Sequence, residues 1–212
     1  MKSLPEKTVE RLSEYRRTLF RCLDEGKTHI YSHELALLHN ITPVQVRRDI
    51  MFIGYASRGR KGYNIHELIK VMAGIIDPVD ILNLAVVGYG NLGKAISSYL
   101  LNKRPMLKLV AVFDIDPKKI GAGISVVPCY SLERLREVID SHNITVALLT
   151  VPADAAQQMA KALVSSGIKG ILNFTTYNIN VPEDIYLEEY DMITSLEKVA
   201  YFVKIGNSRD QL

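Results

Sequence analysis

The chain reads as an α/β protein of two dissimilar parts, a small helical N-terminal domain and then a doubly wound parallel-sheet domain. Three observations predict it. The texture changes at Pro78, from amphipathic helical segments to β-rich apolar runs broken by Gly, Pro and polar turns. The charge changes there too: residues 1–79 carry 13 basic and 9 acidic side chains, and residues 80–212 carry 13 and 14. Just past that point a strand, a glycine turn, a helix and a second strand follow one another. A boundary is expected near residues 76–82.

Composition bounds the function. With 48% hydrophobic and 23% charged residues, the chain has the make-up of an ordinary folded protein. No apolar run approaches the ~20 residues that span a bilayer, and the N-terminal MKSLPEKTVERLSEYRR lacks the apolar core of a secretory signal. A cytoplasmic protein is expected. Cys22 and Cys129 stand far apart with no Cys or His at ligand spacing, so reduced thiols are expected. His29 and His33 would share a helical face, but Ser32 reads as a helix start between them, so no metal site is predicted.

From the N-terminus, Val9, Leu12, Leu19 or Phe20, and Leu23 recur at helical spacing, in a helix that starts near Pro5 and closes at Gly26. Ser32 is placed to cap a second helix, HELALLHN. Thr42-Pro43-Val44-Gln45 then carries a capping box and a proline at the first helical position. Two short helices joined by about four residues have helix-turn-helix spacing. On the second of them Val46, Ile50 and Ile53 form an inward stripe, leaving Gln45, Arg47, Arg48 and Asp49 at or near the exposed face. After Gly54, YASRGRKGYNI reads as a hairpin, with Gly59 and Gly62 in its turn and Arg58, Arg60 and Lys61 decorating it. A basic hairpin behind a recognition helix is winged-helix layout, and Arg47, Arg48, Arg58, Arg60 and Lys61 suit DNA phosphates. The alternative is a helical cap domain with a solvated basic face. A further helix, HELIKVMAGIID, leads to Pro78.

In the second part LNLAVV is a buried strand that breaks into Gly88-x-Gly90-x-x-Gly93 and continues as a helix. Gly88 allows the tight turn, Gly90 lets backbone N–H groups approach a pyrophosphate, and Gly93 permits close helix–strand packing. The next strand, LKLVAVFDID, ends at Asp114, 21 residues after Gly93, where a carboxylate accepts from adenosine ribose hydroxyls. That favours NAD(H) over NADP(H), although Lys118 and Lys119 lie close enough to turn toward a phosphate. ITVALLTV and KGILNF read as further parallel strands around the helix DAAQQMAKALVSSG. Their carboxyl ends, Thr150-Val151-Pro152 and Asn173-Phe174-Thr175, are expected to face the same crevice. This is a Rossmann-like sheet. The last helix, TSLEKVAYFVKIG, is apolar on more than one face, as a helix covered by a second subunit would be.

An enzyme would need chemistry beside the crevice. Tyr99-x-x-x-Lys103 has the spelling of a dehydrogenase pair, but it stands on the helix directly after the glycine turn, and no His–carboxylate partnership accompanies it. Besides a DNA reader with an NAD site, three alternatives stay open: a small NAD-dependent oxidoreductase, a DNA reader with another nucleotide such as coenzyme A, and a structural adaptor with an empty fold.

The VRRD helix, VVGYGNLGKA, VFDIDPKKIG, LLTVPADAAQ and GIKGILNF together resemble the Rex family of redox-sensing transcriptional repressors, over nearly the whole chain. The resemblance implies a homodimer, not an enzyme, whose winged helices bind a palindromic double-stranded operator and whose Rossmann-like domains bind NADH and NAD. It implies release from the operator when NADH binds, and a C-terminal helix swapped onto the partner. Domains are then expected at residues 1–78, 79–192 and 193–212. The implied cofactor set is Gly88, Tyr89, Gly90, Asn91, Leu92, Gly93, Tyr99, Asp114, Ile115, Thr150, Val151, Pro152, Asn173 and Phe174. The implied DNA set is Ser32, Thr42, Gln45, Val46, Arg47, Arg48, Arg58, Arg60, Lys61 and Tyr63. The implied switch is Arg17, Tyr99 and Asp191, with Asp191 pairing with Tyr99 of the partner subunit when NADH is bound and with Arg17 otherwise. The chain departs from the family's usual spelling at Ser57 to Tyr63, where the glycine is displaced, at Thr176-Tyr177 and at Met192. These positions bear on the wing's groove contacts and on the nicotinamide pocket.

Overall fold

The computed structural model describes residues 4–57, 61–101, 105–121, 123 and 125–209, with only the backbone for 206–209. The chain divides into two compact units, Met1–Val79 and Asp80–Leu212.

The first unit is built on α1 (Glu6–Asp24), α2 (Ser32–Leu38), α3 (Pro43–Phe52) and α4 (Ile65–Ile76), with a two-stranded ribbon of β1 (His29–Ile30) and β2 (Tyr63–Asn64). Leu12, Tyr15, Leu19 and Cys22 recur at three- and four-residue spacing on α1 and are buried, whereas Val9 and Phe20 stand partly exposed. Phe20 lies about 100° round the helix from Leu19, off the stripe. Gly26 closes the helix at φ +82°, its N–H donating to the Leu23 carbonyl while the Lys27 N–H reaches Cys22. Against α1 pack Leu35 of α2, Val46 and Ile50 of α3, and Leu68 and Met72 of α4, all fully buried. Each such side chain contributes about 1.5–3 kcal/mol.

Two local expectations are corrected. The helix expected to be capped by Ser32 begins one residue earlier: the Tyr31 N–H donates to Glu34 Oε2 at 2.7 Å, and Ser32 is the first helical residue. The hairpin expected within residues 55–65 is not formed among the described residues, where Tyr63 and Asn64 pair antiparallel with Ile30 and His29. The ribbon thus closes over a long sequence separation.

The second unit carries one parallel sheet in the order β5-β4-β3-β6-β7-β8, made of β3 (Leu82–Val87), β4 (Leu107–Asp114), β5 (Cys129–Ser131), β6 (Ile144–Leu149), β7 (Gly170–Asn173) and β8 (Tyr186–Glu189). Alternation along the strands feeds two cores. Ala85, Val87, Phe113 and Leu149 pack with α6 (Leu135–Ser141) and α7 (Ala153–Ser165), while Leu84, Val86, Val112 and Leu148 face the side of α5 (Asn91–Leu100). Helices on both faces make the sheet doubly wound, as the sequence predicts.

Register sets the site. Val87 pairs with Phe113 on one side and with Leu149 on the other, so Gly88, Asp114 and Thr150 come next along their strands and form one rim. The chain leaves β3 for β4 on one side and reaches β6 on the other, so a switch point opens at the carboxyl ends of β3 and β6. The last helix, α8 (Met192–Arg209), leaves Leu196, Val199, Tyr201, Phe202 and Val203 exposed.

Candidate functional site

At that switch point lies a crevice of about 890 Å³, within the range of small-molecule sites. Gly88 turns the chain at φ +97°, where a Cβ would stand 2.7 Å from the Thr150 carbonyl oxygen. Thr150 locks the turn from the neighbouring strand, its hydroxyl donating to the Gly88 carbonyl at 2.7 Å. A Cβ on Gly93 would fall 2.0 Å from the Gly88 oxygen, so only glycine lets α5 approach this closely. Nothing lies within 4 Å of the Cβ position of Gly90, the residue before α5, and no side chain caps that helix. The start of the helix, Gly90 to Leu92, lines the crevice, and first-turn N–H groups lack intrahelical partners, which suits a diphosphate.

Asp114 closes the other end. Its carboxylate accepts from the Tyr89 N–H at 2.8 Å, the Asp116 N–H at 2.9 Å and Lys119 Nζ at 2.8 Å. Burial alone would raise its pKa, but these three donors outweigh burial and hold the carboxyl below its usual range. Asp114 is therefore an anion at neutral pH, tied to the glycine turn through Tyr89.

Nine of the expected cofactor residues line this crevice: Gly88, Gly90, Asn91, Leu92, Asp114, Ile115, Thr150, Val151 and Pro152. Gly93 is buried beneath it. Tyr89 contributes backbone, its ring turned away so that the hydroxyl donates to the Gly123 carbonyl at 3.1 Å. Asn173 and Phe174, expected to face the same crevice, do not line it. The Asn173 carboxamide is consumed by its own loop, accepting from the Thr175 N–H and hydroxyl and donating to the Tyr177 carbonyl, while Phe174 packs on Tyr190. Tyr99 lies outside the crevice on α5, 67% exposed. Asp116, Lys119, Leu132, Leu135, Ala155, Gln158, Met159 and Ala162 complete the walls. Of these only Lys119 is named from the sequence; most of the others lie on α7 and on the segment leading into α6, away from the glycine turn and the strand ends.

In the first unit, Thr42 caps α3, its hydroxyl accepting the Gln45 N–H at 3.2 Å, with Pro43 as first helical residue. The other half of the expected capping box fails, because the Gln45 side chain donates instead to Asp49 Oδ1 at 2.9 Å. Asp49, expected at or near the exposed face, is fully buried. Val46, placed in the DNA set, is also fully buried and can contact no nucleic acid. Positions 46, 49, 50 and 53 share one helical face, which explains both corrections. Four donors hold Asp49: Arg11 through Nε at 2.7 Å and Nη2 at 2.8 Å, the Tyr15 hydroxyl at 2.9 Å, and Gln45. Burial opposes its ionisation, yet these hydrogen bonds keep its pKa below the ordinary value.

On the outer face Arg47 and Arg48 are exposed, and Arg47 Nη1 donates to the Ser32 hydroxyl at 3.2 Å. Tyr63 is half-buried, and burial pushes its phenol pKa up despite the charge of Arg47. Lys61 is exposed. Ser32, Arg47 and the ribbon residue Tyr63 thus share one polar patch beside α3, while Arg58, Gly59 and Arg60 lie outside the described residues.

Of the expected switch residues, Arg17 is exposed on α1 and Asp191 is exposed just before α8. Asp191 caps that helix: Oδ1 accepts the Ile193 N–H at 2.8 Å and Oδ2 the Thr194 hydroxyl at 2.5 Å. The Thr194 hydroxyl and N–H lower its pKa. Met192 follows it on α8, and the Tyr177 carbonyl ties Thr176-Tyr177 to Asn173.

A CoA binding domain model matches residues 79–177, and a model for a DNA-binding protein N-terminus matches residues 3–50. The redox-sensing transcriptional repressor Rex of Geobacillus kaustophilus is 37% identical over 201 residues, covering 95% of this chain and 94% of the relative. The crystal structure of RSP, a Rex-family repressor, with β-NADH superposes with a TM-score of 0.88 at 30% identity, covering 100% of this chain and 99% of that one. The structure of RSP with β-NAD+ and operator DNA gives 0.89 at 30% identity, covering 100% and 97%. A repressor relative matched from end to end, and a crevice and recognition helix where that family's motifs fall, place the chain in the Rex family of redox-sensing transcriptional repressors.

Proposed function

We propose that this protein is a homodimeric repressor that holds a palindromic operator through its N-terminal units and leaves it when the crevice of the second unit takes up NADH. The observation that carries this is the pairing, in one chain, of a diphosphate cradle at Gly88–Gly93 closed by an anionic Asp114 with an exposed Arg47-Arg48 face on a capped helix. The solved RSP complexes with NADH, and with NAD+ and operator DNA, support it. Among the described residues none is assigned catalysis: Tyr99 stands outside the crevice, and Lys103 lies outside the described residues.

In the chain's own terms, the open Gly90 position and the α5 N-terminus receive the diphosphate, and Asp114 accepts from the adenosine ribose. When bound, the cofactor supplies a charge that differs with redox state, because oxidised nicotinamide is cationic and reduced nicotinamide is neutral. An apolar surrounding of the ring favours the neutral form. A second copy is needed to cover α8 and an open apolar groove of about 400 Å³ across β6, β7 and β8, walled by Val146, Leu172 and Tyr186. Two crevices per dimer, each biased ~100-fold, supply the ~10⁴-fold needed to move a 99:1 equilibrium to 1:99. The recognition helices then leave the ~34–36 Å spacing of consecutive major grooves. A repressor of this kind works in the cytoplasm, beside the DNA it reads.

Coupling of this kind is reciprocal. Saturating operator duplex is expected to weaken NADH binding, measured by nicotinamide fluorescence, by the same factor by which NADH weakens the duplex. NADH affinity indifferent to duplex would refute the proposal. Arg48→Ala is expected to cost about 1–3 kcal/mol of operator binding, with relaxed base preference if Arg48 reads a guanine, or uniformly with a shallower salt slope if it holds phosphate. Unchanged binding across a salt series would remove Arg48 from the interface.

A further inference from the structure

The first unit buries a cation that its packing does not require. Arg16 stands on α1 with its side chain only 6% exposed, and its Nε is buried with no partner among the described residues. Nη1 donates to Asp77 Oδ1, the one hydrogen bond that the guanidinium makes among the described residues. Arginine has five N–H donors, so an apolar side chain here would cost the fold nothing in stability. Asp77 follows α4 directly, in extended backbone at φ −76° and ψ 138°, its N–H donating to the Ala73 carbonyl at 2.9 Å. Pro78 comes next, and the second unit begins at Asp80. At the other end of the same contact, α1 carries Arg11 and Tyr15, whose side chains both donate to Asp49 of α3. Asp77, Arg16, Tyr15, Arg11 and Asp49 thus form one line of polar contacts through α1, from the last residues of the unit to the helix that bears Arg47 and Arg48. Building on the NADH-release reading above, we propose that Arg16 is a positioning residue for operator release: through Asp77 it clamps the chain's exit to α1, so that a displacement arriving along the chain reaches α3 instead of being absorbed at the junction.

Transmission between distant sites needs a stiff, continuous element. Hinges form at element ends, where a few residues absorb changes in φ and ψ. The Asp77–Pro78 step resists this in part, because proline fixes its own φ and holds the preceding residue in extended backbone. The end of α4 is the remaining soft point, since the carbonyls of a last helical turn lack intrahelical partners. Arg16 closes it. The Asp77 side chain is 36% exposed and can exchange Arg16 for water, whereas the buried guanidinium has no such exchange and would be left as an uncompensated charge. The pair therefore resists opening from the Arg16 side. Neither residue belongs to the cofactor or DNA set, so loss of the clamp separates the two binding events without weakening either.

The test reads the coupling factor, operator affinity without NADH divided by operator affinity at saturating NADH, from fluorescence anisotropy of the full-length protein on a labelled palindromic duplex. Arg16→Met exchanges the buried charge for an apolar chain and is expected to lower this factor about tenfold. NADH affinity by nicotinamide fluorescence, and operator affinity without NADH, are expected to change little. Asp77→Asn is expected to lose coupling to the same extent, and Asp77→Glu, which keeps the anion, to retain most of it. Urea unfolding distinguishes the clamp from a merely structural pair: Asp77→Asn leaves the guanidinium uncompensated and should be the less stable variant, yet both variants lose coupling alike. If circular dichroism shows Asp77→Asn unfolded, Arg16→Met decides alone. A folded Arg16→Met variant that NADH releases as it releases wild type overturns the proposal, as does one that loses operator affinity without NADH. Wild type that NADH does not release sinks the reading on which the proposal rests and the proposal with it, a failure recognisable because it precedes any substitution.

Discussion

Asp49→Ala is expected to destabilise the N-terminal unit by about 3 kcal/mol, the lower end of the range for breaking a buried ion pair. The lower end applies because the Arg11 side chain is 23% exposed and can turn toward water once its partner is gone. The Tyr15 hydroxyl has no such route: Tyr15 is fully buried and would lose its acceptor. Because Asp49 ties α3 to α1 through Arg11 and Tyr15 and holds Gln45 in place, operator affinity should fall with stability. Asp49→Asn keeps one acceptor and should lose less. The pH dependence has a definite sign. The folded carboxyl has a lowered pKa, so its contribution is complete above the unfolded value of about 3.9 and is lost as pH falls below that value through the folded one. Urea unfolding at pH 7 and pH 3 measures both effects. An Asp49→Ala loss under 1 kcal/mol at pH 7 would contradict the account of α3.

Gly88→Ala is expected to produce a repressor that still binds operator and no longer answers NADH. Alanine at φ +97° is strained by about 1–3 kcal/mol. Its Cβ would also lie 2.7 Å from the Thr150 oxygen and 2.8 Å from the Thr150 carbonyl carbon, both backbone atoms, so β3 and β6 must part at the floor of the crevice. The N-terminal unit has its own core and is untouched. NADH affinity by nicotinamide fluorescence should fall roughly 100-fold, the equivalent of about 3 kcal/mol. Retained affinity, or joint loss of NADH and operator binding in a folded variant, would contradict the division of labour between the units.

Much of this was legible in the sequence because it rests on local periodicity. The strand, glycine turn, helix and strand ending at Asp114 lie within a short stretch, and each glycine does what its place in the motif requires. The helix-turn-helix was legible for the same reason, through Thr42, Pro43 and the Val46-Ile50-Ile53 stripe. What stayed hidden depended on partners distant in the chain. The two-residue strand at His29 has no periodicity to detect, so its pairing with Tyr63-Asn64 could not be read. Asp49 is expected near the exposed face from helical period, yet positions 46, 49, 50 and 53 lie on one face and bury it. Its partner Arg11 is 38 residues away. The side chain of Asn173 was equally illegible, since nothing in NFTTY says that it bonds within its own loop rather than to the crevice.

The central claim is that one chain converts a nicotinamide redox state into operator occupancy. Fluorescence anisotropy on a labelled palindromic duplex, at fixed salt with NADH and then NAD+ titrated in, tests it most directly. Release by NADH at concentrations where NAD+ leaves the complex intact is the predicted result. A duplex bound tightly and indifferent to both nucleotides, or not bound at all, would contradict it.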